Sequence, residues 1–125
     1  MNREIKFRAY IKDGFPKGMQ EVTSLFPRRK SLQCTFERYT FDEVELMQFT
    51  GLKDKNGVEI YEGDIVRGIK RTDNYENYYI FKVHYHNGCF MFGNYNAHEF
   101  FDKFTHKEVI GNIYENPELL EVNYE

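Results

Sequence analysis

His84, His86 and Cys89 lie on either side of Asn87-Gly88. Asn-Gly is the strongest short signal for a two-residue β-turn. Such a turn pairs His86 with Cys89 and leaves His84 two residues away on the same strand face. Two imidazoles and a thiol are zinc-type ligands. A structural zinc takes four ligands, and the fourth would have to come from His98, His106 or a carboxylate whose position the spacing does not give. The same three side chains also suit a partly solvated hairpin face. A second concentration is acidic, with Asp54, Glu59, Glu62 and Asp64 inside eleven residues. Paired carboxylates can act as general acid and base. Asp and Glu beside Asn56-Gly57 and around Gly63 are, however, ordinary turn chemistry. No Gly-rich phosphate loop sits between a strand and a helix, and no Ser or Cys carries a nucleophile motif. The reading therefore assigns no catalytic residue, no metal and no cofactor, and expects a non-enzyme.

A third group is basic. Lys6, Arg8 and Tyr10 alternate along the first segment, Arg28, Arg29 and Lys30 follow Pro27, and Arg38 comes soon after. Cations along a backbone with rings under the bases is how single-stranded nucleic acid is held, which makes these seven residues the nucleic-acid candidates. Lys and Arg also guard edge strands against unwanted pairing. Residues 1–40 carry nine Lys/Arg against four Asp/Glu, and residues 41–125 eight against sixteen, for the overall net charge of −3. Opposite charge at the two ends suits a chain that docks onto copies of itself, with Ile5 and Phe7 as the interface candidates. Twelve Phe and ten Tyr without a Trp exceed what one core of this size holds, so some rings are expected on the surface.

The elements that must position these residues are strands. The chain has 125 residues, 41% hydrophobic and 30% charged, which places it among folded globular domains with one core as the default. No apolar run approaches the ~20 residues of a bilayer span and no signal-like segment opens the chain, so no membrane partner and a cytoplasmic setting are expected. Cys34 and Cys89 are then expected as free thiols. Residues 4–11 alternate strictly, with Ile5, Phe7, Ala9 and Ile11 on one side and Lys6, Arg8 and Tyr10 on the other, the period of a half-buried strand. A loop at Asp13-Gly14, widened by Pro16, leads to strands over 19–25 and 32–37 that flank an exposed loop at 28–30. Residues 41–47 fit either a helical turn or a strand, and Phe49-Thr50 tilts the reading to a strand.

Asn56-Gly57 predicts a tight hairpin, and Glu62-Gly63-Asp64 a break where a strand bends between sheets. Residues 67–77 read as a polar loop. Residues 79–85 and 89–92 form a second hairpin that pairs Val83 with Phe92 and Tyr85 with Phe90, so Phe81, Val83, Tyr85, Phe90 and Phe92 share a core face. A last strand spans 108–114, and Asn116-Pro117-Glu118 opens a short C-terminal helical turn. There is no sequence repeat. The fold class is all-β.

Four blocks carry a resemblance: Glu4-Ile5-Lys6-Phe7-Arg8-Ala9, the run 46–66, Gly88-Cys89-Phe90, and the run 108–120 from Glu108-Val109-Ile110-Gly111 to Leu119-Leu120. Together and in this order they resemble the YopX proteins of phages and prophages. Tyr10 stands where that family is expected to carry Trp, and the segments 12–42 and 67–82 resemble little, so nothing functional carries over onto them. The resemblance implies a single YopX-like domain over 1–125 with a small SH3-like β-barrel (45–125), and the N-terminal part (1–44) is expected as a β ribbon that packs on this barrel or on a neighbour. It also implies a phage or prophage protein and an assembled homo-oligomer, and it brings no established activity. The expected role is a non-catalytic interaction or assembly module in the host cytoplasm that meets its own copies or a host or phage protein. A nucleic-acid-binding module using the basic N-terminal face is the alternative, and a metal-dependent enzyme the second alternative.

Overall fold

The computed structural model describes residues 4–14, 17–72 and 78–121, and the chain divides into two compact units, Met1–Phe49 and Thr50–Glu125. Pro16 and residues 73–77 of the expected loop lie outside the described residues.

In the first unit the alternating segment becomes β1 (Phe7–Ile11). It is followed by β2 (Gly18–Phe26), β3 (Ser31–Cys34), β4 (Arg38–Thr40) and β5 (Val44–Lys53), a strand that continues into the second unit. These are five of the six strands of one sheet, in the order β4-β3-β2-β1-β5, with every one of these pairs antiparallel. β1 is therefore an interior strand. It pairs Arg8 with Glu21 and Ile11 with Gly18 on one side, and Phe7 with Gln48 and Ile11 with Val44 on the other. The idea that its Lys and Arg guard an edge fails for this reason. Ala9 and Ile11 are fully buried with Leu32, Cys34, Tyr39 and Val44, and Val22, Leu25 and Phe41 pack against them.

Residues 41–47 resolve both ways. Phe41–Glu43 is a single 3-10 turn and the strand starts at Val44. That turn shapes the unit. Five flat strands would hold β4 and β5 about 19 Å apart at ~4.8 Å per strand, but three linking residues reach only about 13–14 Å when fully extended. The sheet must coil, and the turn is tied across it. Phe41 N donates to Lys30 O at 2.8 Å, and Lys12 N to Glu43 O at 3.0 Å.

In the second unit the end of β5 and β6 (Glu59–Tyr61) form a short ribbon. The expected tight turn between them is a five-residue loop, Asp54 to Val58, because Asp54 organises it through its side chain. Oδ1 accepts from Asn56 N at 2.8 Å and Val58 N at 2.9 Å. At Glu62-Gly63 the chain leaves this ribbon for a second sheet, as the glycine there predicts, with Gly63 at φ 85°. That sheet contains β7 (Asp64–Lys70), β8 (Tyr78–His86), β9 (Cys89–Phe92), β10 (Tyr95–Asn96) and β11 (Phe104–Asn112), in the order β10-β9-β8-β7-β11. The expected polar loop from residue 67 is corrected, since β7 runs on to Lys70 with Arg67 and Ile69 pairing to β8 and β11. Burial of one strand face suffices to hold a strand whose other face is polar.

The second hairpin has the expected register, Val83↔Phe92, His84↔Met91, Tyr85↔Phe90 and His86↔Cys89. Asn87 and Gly88 both have positive φ, as the primed turn that matches strand twist requires. On its inner face Val83 and Phe92 are buried, whereas Tyr85 at the tip is 54% exposed.

Residues 97–103 form a helix, α1 (Ala97–Lys103), that links the two edge strands β10 and β11. Asn96 Oδ1 accepts from Glu99 N at 2.8 Å, and Glu99 Oε1 from Asn96 N at 3.1 Å, a reciprocal capping box. The helix delivers Phe100 onto Phe92, ring on ring at 4.4 Å and 6°. Gly68 lies beside Phe104 and Phe100, where a Cβ would be in ordinary contact with both. Ile60, Val66, Val83, Phe92, Phe100 and Phe104 form the core. The expected C-terminal turn is a 3-10 segment, Pro117–Glu121.

The SH3-like barrel expected for 45–125 is not present as a closed sheet. Among the described residues no ladder joins β10 to β11, nor β4 to β5. The first sheet instead has six strands, β4-β3-β2-β1-β5-β6, and the second five, and in each a short helical link joins two strands that no ladder joins, β4 to β5 and β10 to β11.

Candidate functional site

The hairpin that carries His84, His86 and Cys89 brings them to one strand face, but in different surroundings. His84 Nε2 lies 3.0 Å from Gly93 O, its ring centre is 6.4 Å from that of His86, and Cys89 is exposed. His98 is on α1 and His106 on β11. Among the described residues no group of three or more His, Cys, Asp or Glu is placed to hold a metal ion.

The four clustered carboxylates are used by the fold. Beyond its own loop, buried Asp54 accepts from Val109 N through Oδ2 at 2.9 Å, pinning the β5–β6 loop to β11. Asp64, 1% exposed, accepts from Tyr61 N at 2.8 Å. Glu59 Oε1 accepts from the Tyr61 hydroxyl at 3.3 Å, and Glu62 sits in the turn between sheets. Asp54 and Asp64 are thus occupied by backbone N–H groups, the ordinary work of turn carboxylates.

The basic residues fall into two groups. Lys6 lies 3.6 Å from Glu4 and 5.6 Å over the Phe49 ring, Arg8 stands opposite Glu21, and Tyr10 opposite Glu45. Arg28, Arg29 and Lys30 are exposed on the 3-10 turn Pro27–Arg29, and the Arg38 guanidinium lies 4.4 Å over the Phe26 ring. Pro27 is six residue steps along β2 from Glu21, roughly 20 Å of extended strand. Arg8 and the Arg28–Lys30 turn therefore do not share one patch.

Beside β1, residues 5–7 stay against β5, with Phe49 N donating to Lys6 O at 2.9 Å. The β1–β2 ladder stops at Arg8–Glu21, and β2 bulges between Val22 and Ser24. The splay opens a groove of about 260 Å³ lined by Ile5, Phe7, Val22 and Leu25 with Lys6 and Glu21. Ile5 is 69% exposed there and Phe7 half-buried.

A site that sequence spacing does not reveal lies on the outer face of β11, β7 and β8. Arg67 and Ile69 point away from the core. Glu108 stands opposite Arg67 and Tyr78 opposite Ile69. Arg67 Nη2 donates to Glu108 Oε1 at 2.6 Å, with Lys55 Nζ 3.9 Å from the same oxygen and the Arg67 guanidinium 4.9 Å over the Tyr78 ring. The hydrogen bond to Glu108 raises the Arg67 pKa, against partial desolvation, and Tyr78 adds to the rise. β11 breaks register between Thr105 and Glu108, and in that bulge His106 takes φ 54°. These residues line a cleft of about 220 Å³.

A two-unit all-β protein with coiled sheets and no helix long and apolar enough to cross a membrane among the described residues is what the coordinates define. The chain belongs to the YopX family, whose model, described as YopX protein, matches residues 6–121. It is similar to protein EF1440 from Enterococcus faecalis, a crystal structure with 32% sequence identity and a TM-score of 0.66, covering 95% of this chain and 99% of that one. No curated protein matches it.

Proposed function

We propose that the chain is a non-catalytic interaction and assembly module of phage type that forms a homo-oligomer, with the groove at Ile5 and Phe7 as the contact between copies. The observation that carries this reading is Ile5, 69% exposed at the mouth of a groove walled by Phe7, Val22 and Leu25 together with Thr23 and Ser24. Lys6 and Glu21 at its rim allow opposite charges to meet across a two-fold contact, in which the same patch serves both copies. Burying Ile5 and Phe7 would contribute about 1.5 to 3 kcal/mol per side chain before ordering costs. Light scattering on the full chain tests it. The expected result is an oligomer that Ile5→Asp converts to folded monomers. A monomeric native chain, or an oligomer untouched by Ile5→Asp, overturns the reading.

A second reading, binding of single-stranded nucleic acid, is favoured by Arg28, Arg29 and Lys30 exposed beside the Arg38–Phe26 stack. Affinity should then fall steeply with salt and vanish in Arg28→Glu with Arg29→Glu. Salt-insensitive binding, or none at low ionic strength, ends it.

A further inference from the structure

We infer that the cleft between Lys55, Arg67, Tyr78 and His106 is a binding site for a small phosphate-type oxyanion. The chain from residue 41 onward is acidic, with eight Lys/Arg against sixteen Asp/Glu, yet this cleft gathers two cations and an imidazole around one carboxylate. Glu108 takes one bond from Arg67 at 2.6 Å, while Lys55 stands 3.9 Å off, beyond hydrogen-bond length. Positive charge is thus left in excess over Glu108.

The donors come from four separate chain segments, and each is fixed by the backbone. Lys55 is held because its own N–H donates to Lys107 O at 2.9 Å, next to the Asp54 bond to Val109. Its side chain is not part of that anchor. Arg67 and Tyr78 come from neighbouring strands, and His106 from the bulge. A non-glycine residue at φ 54° is an unfavourable backbone conformation, of a kind that collects at binding sites where a bulge re-aims a side chain. Donors converging from several directions suit a tetrahedral acceptor with three strong oxygens and nearly two negative charges better than a planar carboxylate. At about 220 Å³ the cleft lies below the ~300–1,000 Å³ of sites for drug-sized ligands, so the phosphate carries only a small remainder. This site is independent of the Ile5 groove, and neither proposal depends on the other.

The test is an amide NMR titration of the full chain with inorganic phosphate and then glycerol phosphate, at ionic strength held constant with chloride, with acetate as the comparison. Saturable shifts at residues 55, 67 and 106–108 are expected, with acetate weaker. Lys55→Ala should weaken phosphate roughly tenfold, the worth of one hydrogen bond to a charged group. His106→Gly removes the imidazole while supplying the residue that favours positive φ, so binding should weaken while thermal stability holds or rises. Linear, unsaturating shifts, shifts centred on Arg28–Lys30, an acetate response equal to phosphate, or unchanged affinity in both variants would each overturn the assignment to this cleft.

Discussion

In the first unit the three residues Phe41–Glu43 link the edge strand β4 to β5, which also pairs with β6, and in the second the seven residues of α1 link the edge strands β10 and β11. The strand orders, β4-β3-β2-β1-β5 and β10-β9-β8-β7-β11, are the same arrangement shifted by six strands. The topology is therefore used twice by segments with no sequence repeat. The fillings differ. The shorter link fully buries none of its own residues and only lays the partly buried Phe41 against a core built from Ala9, Ile11, Leu32, Cys34, Tyr39 and Val44. The longer link inserts Phe100, fully buried, into an aromatic set with Phe92 and Phe104. A coiled sheet whose edges are joined by one turn has little interior volume to fill, whereas a helix holding the edges apart creates volume that rings can fill to packing density. Much of the surplus of Phe and Tyr is accounted for in this way, with Phe36, Tyr78 and Tyr85 as the exposed rings among the described residues.

Removing residues 1–11 should have the largest effect, because β1 pairs on both sides and carries Ala9 and Ile11 at no exposure. Amide signals of residues 18–48 are expected to collapse to random-coil positions. Dispersed signals there would mean that the first sheet stands without its middle strand and that the two arrangements are not equivalent.

Phe100→Ala comes next, at about 3–5 kcal/mol, with Leu32→Ala in the first unit expected toward the lower part of the ~2–5 kcal/mol range for buried Leu. Phe100 forfeits both its stack on Phe92 and its contact with Phe104 at 5.1 Å, whereas Leu32 sits in a cluster whose buried members are aliphatic or small apart from Tyr39. Urea unfolding of the two variants gives the ranking. Equal losses would remove the distinction between an aromatic and an aliphatic filling.

What the sequence made legible follows from how local each feature is. The Asn87-Gly88 hairpin was readable to the residue because a two-residue turn fixes register by itself. The interior position of β1 was not, since its partners Gln48 and Glu21 are 41 and 13 residues away from Phe7 and Arg8 and alternation does not say which strands flank a strand. The missed helix did leave a signal, Asn96 followed by Glu99 as a capping box and Phe100 and Phe104 one turn apart. The cleft left none. Lys55, Arg67 and His106 meet only through the β7–β11 register, the bulge and the Asp54 staple.

That staple is the third test. Asp54→Ala strips the partners from Asn56, Val58 and Val109 N–H groups, of which the exposed loop pair can turn to water. A loss of about 1–3 kcal/mol is expected, with Asp54→Asn milder because its one carbonyl oxygen can still accept from Asn56 and Val58 N–H, while its NH2 donates and leaves Val109 N–H without that acceptor. Faster amide exchange at Val109 should accompany either change. A variant with native stability and native Val109 protection would mean that β11 is held by its ladder alone.

The smallest effects should come from the two links themselves, and their difference addresses the comparison directly. Asn96→Ala removes the oxygen that accepts from Glu99 N at the head of a seven-residue helix and should cost about 1 kcal/mol. Thr40→Ala precedes a single 3-10 turn, and there Glu43 Oε1 still accepts from the Thr40 backbone N at 2.9 Å, a bond that does not involve the substituted side chain. The exposed site and the surviving bond put its cost within about 0.5 kcal/mol. Denaturant midpoints for the two variants, measured with unchanged slopes, decide the matter. If Thr40→Ala proves as costly as Asn96→Ala, the short turn is stabilised by its cap rather than by its ties to Lys12 and Lys30, and the coil of the first sheet depends on local chemistry as much as that of the second.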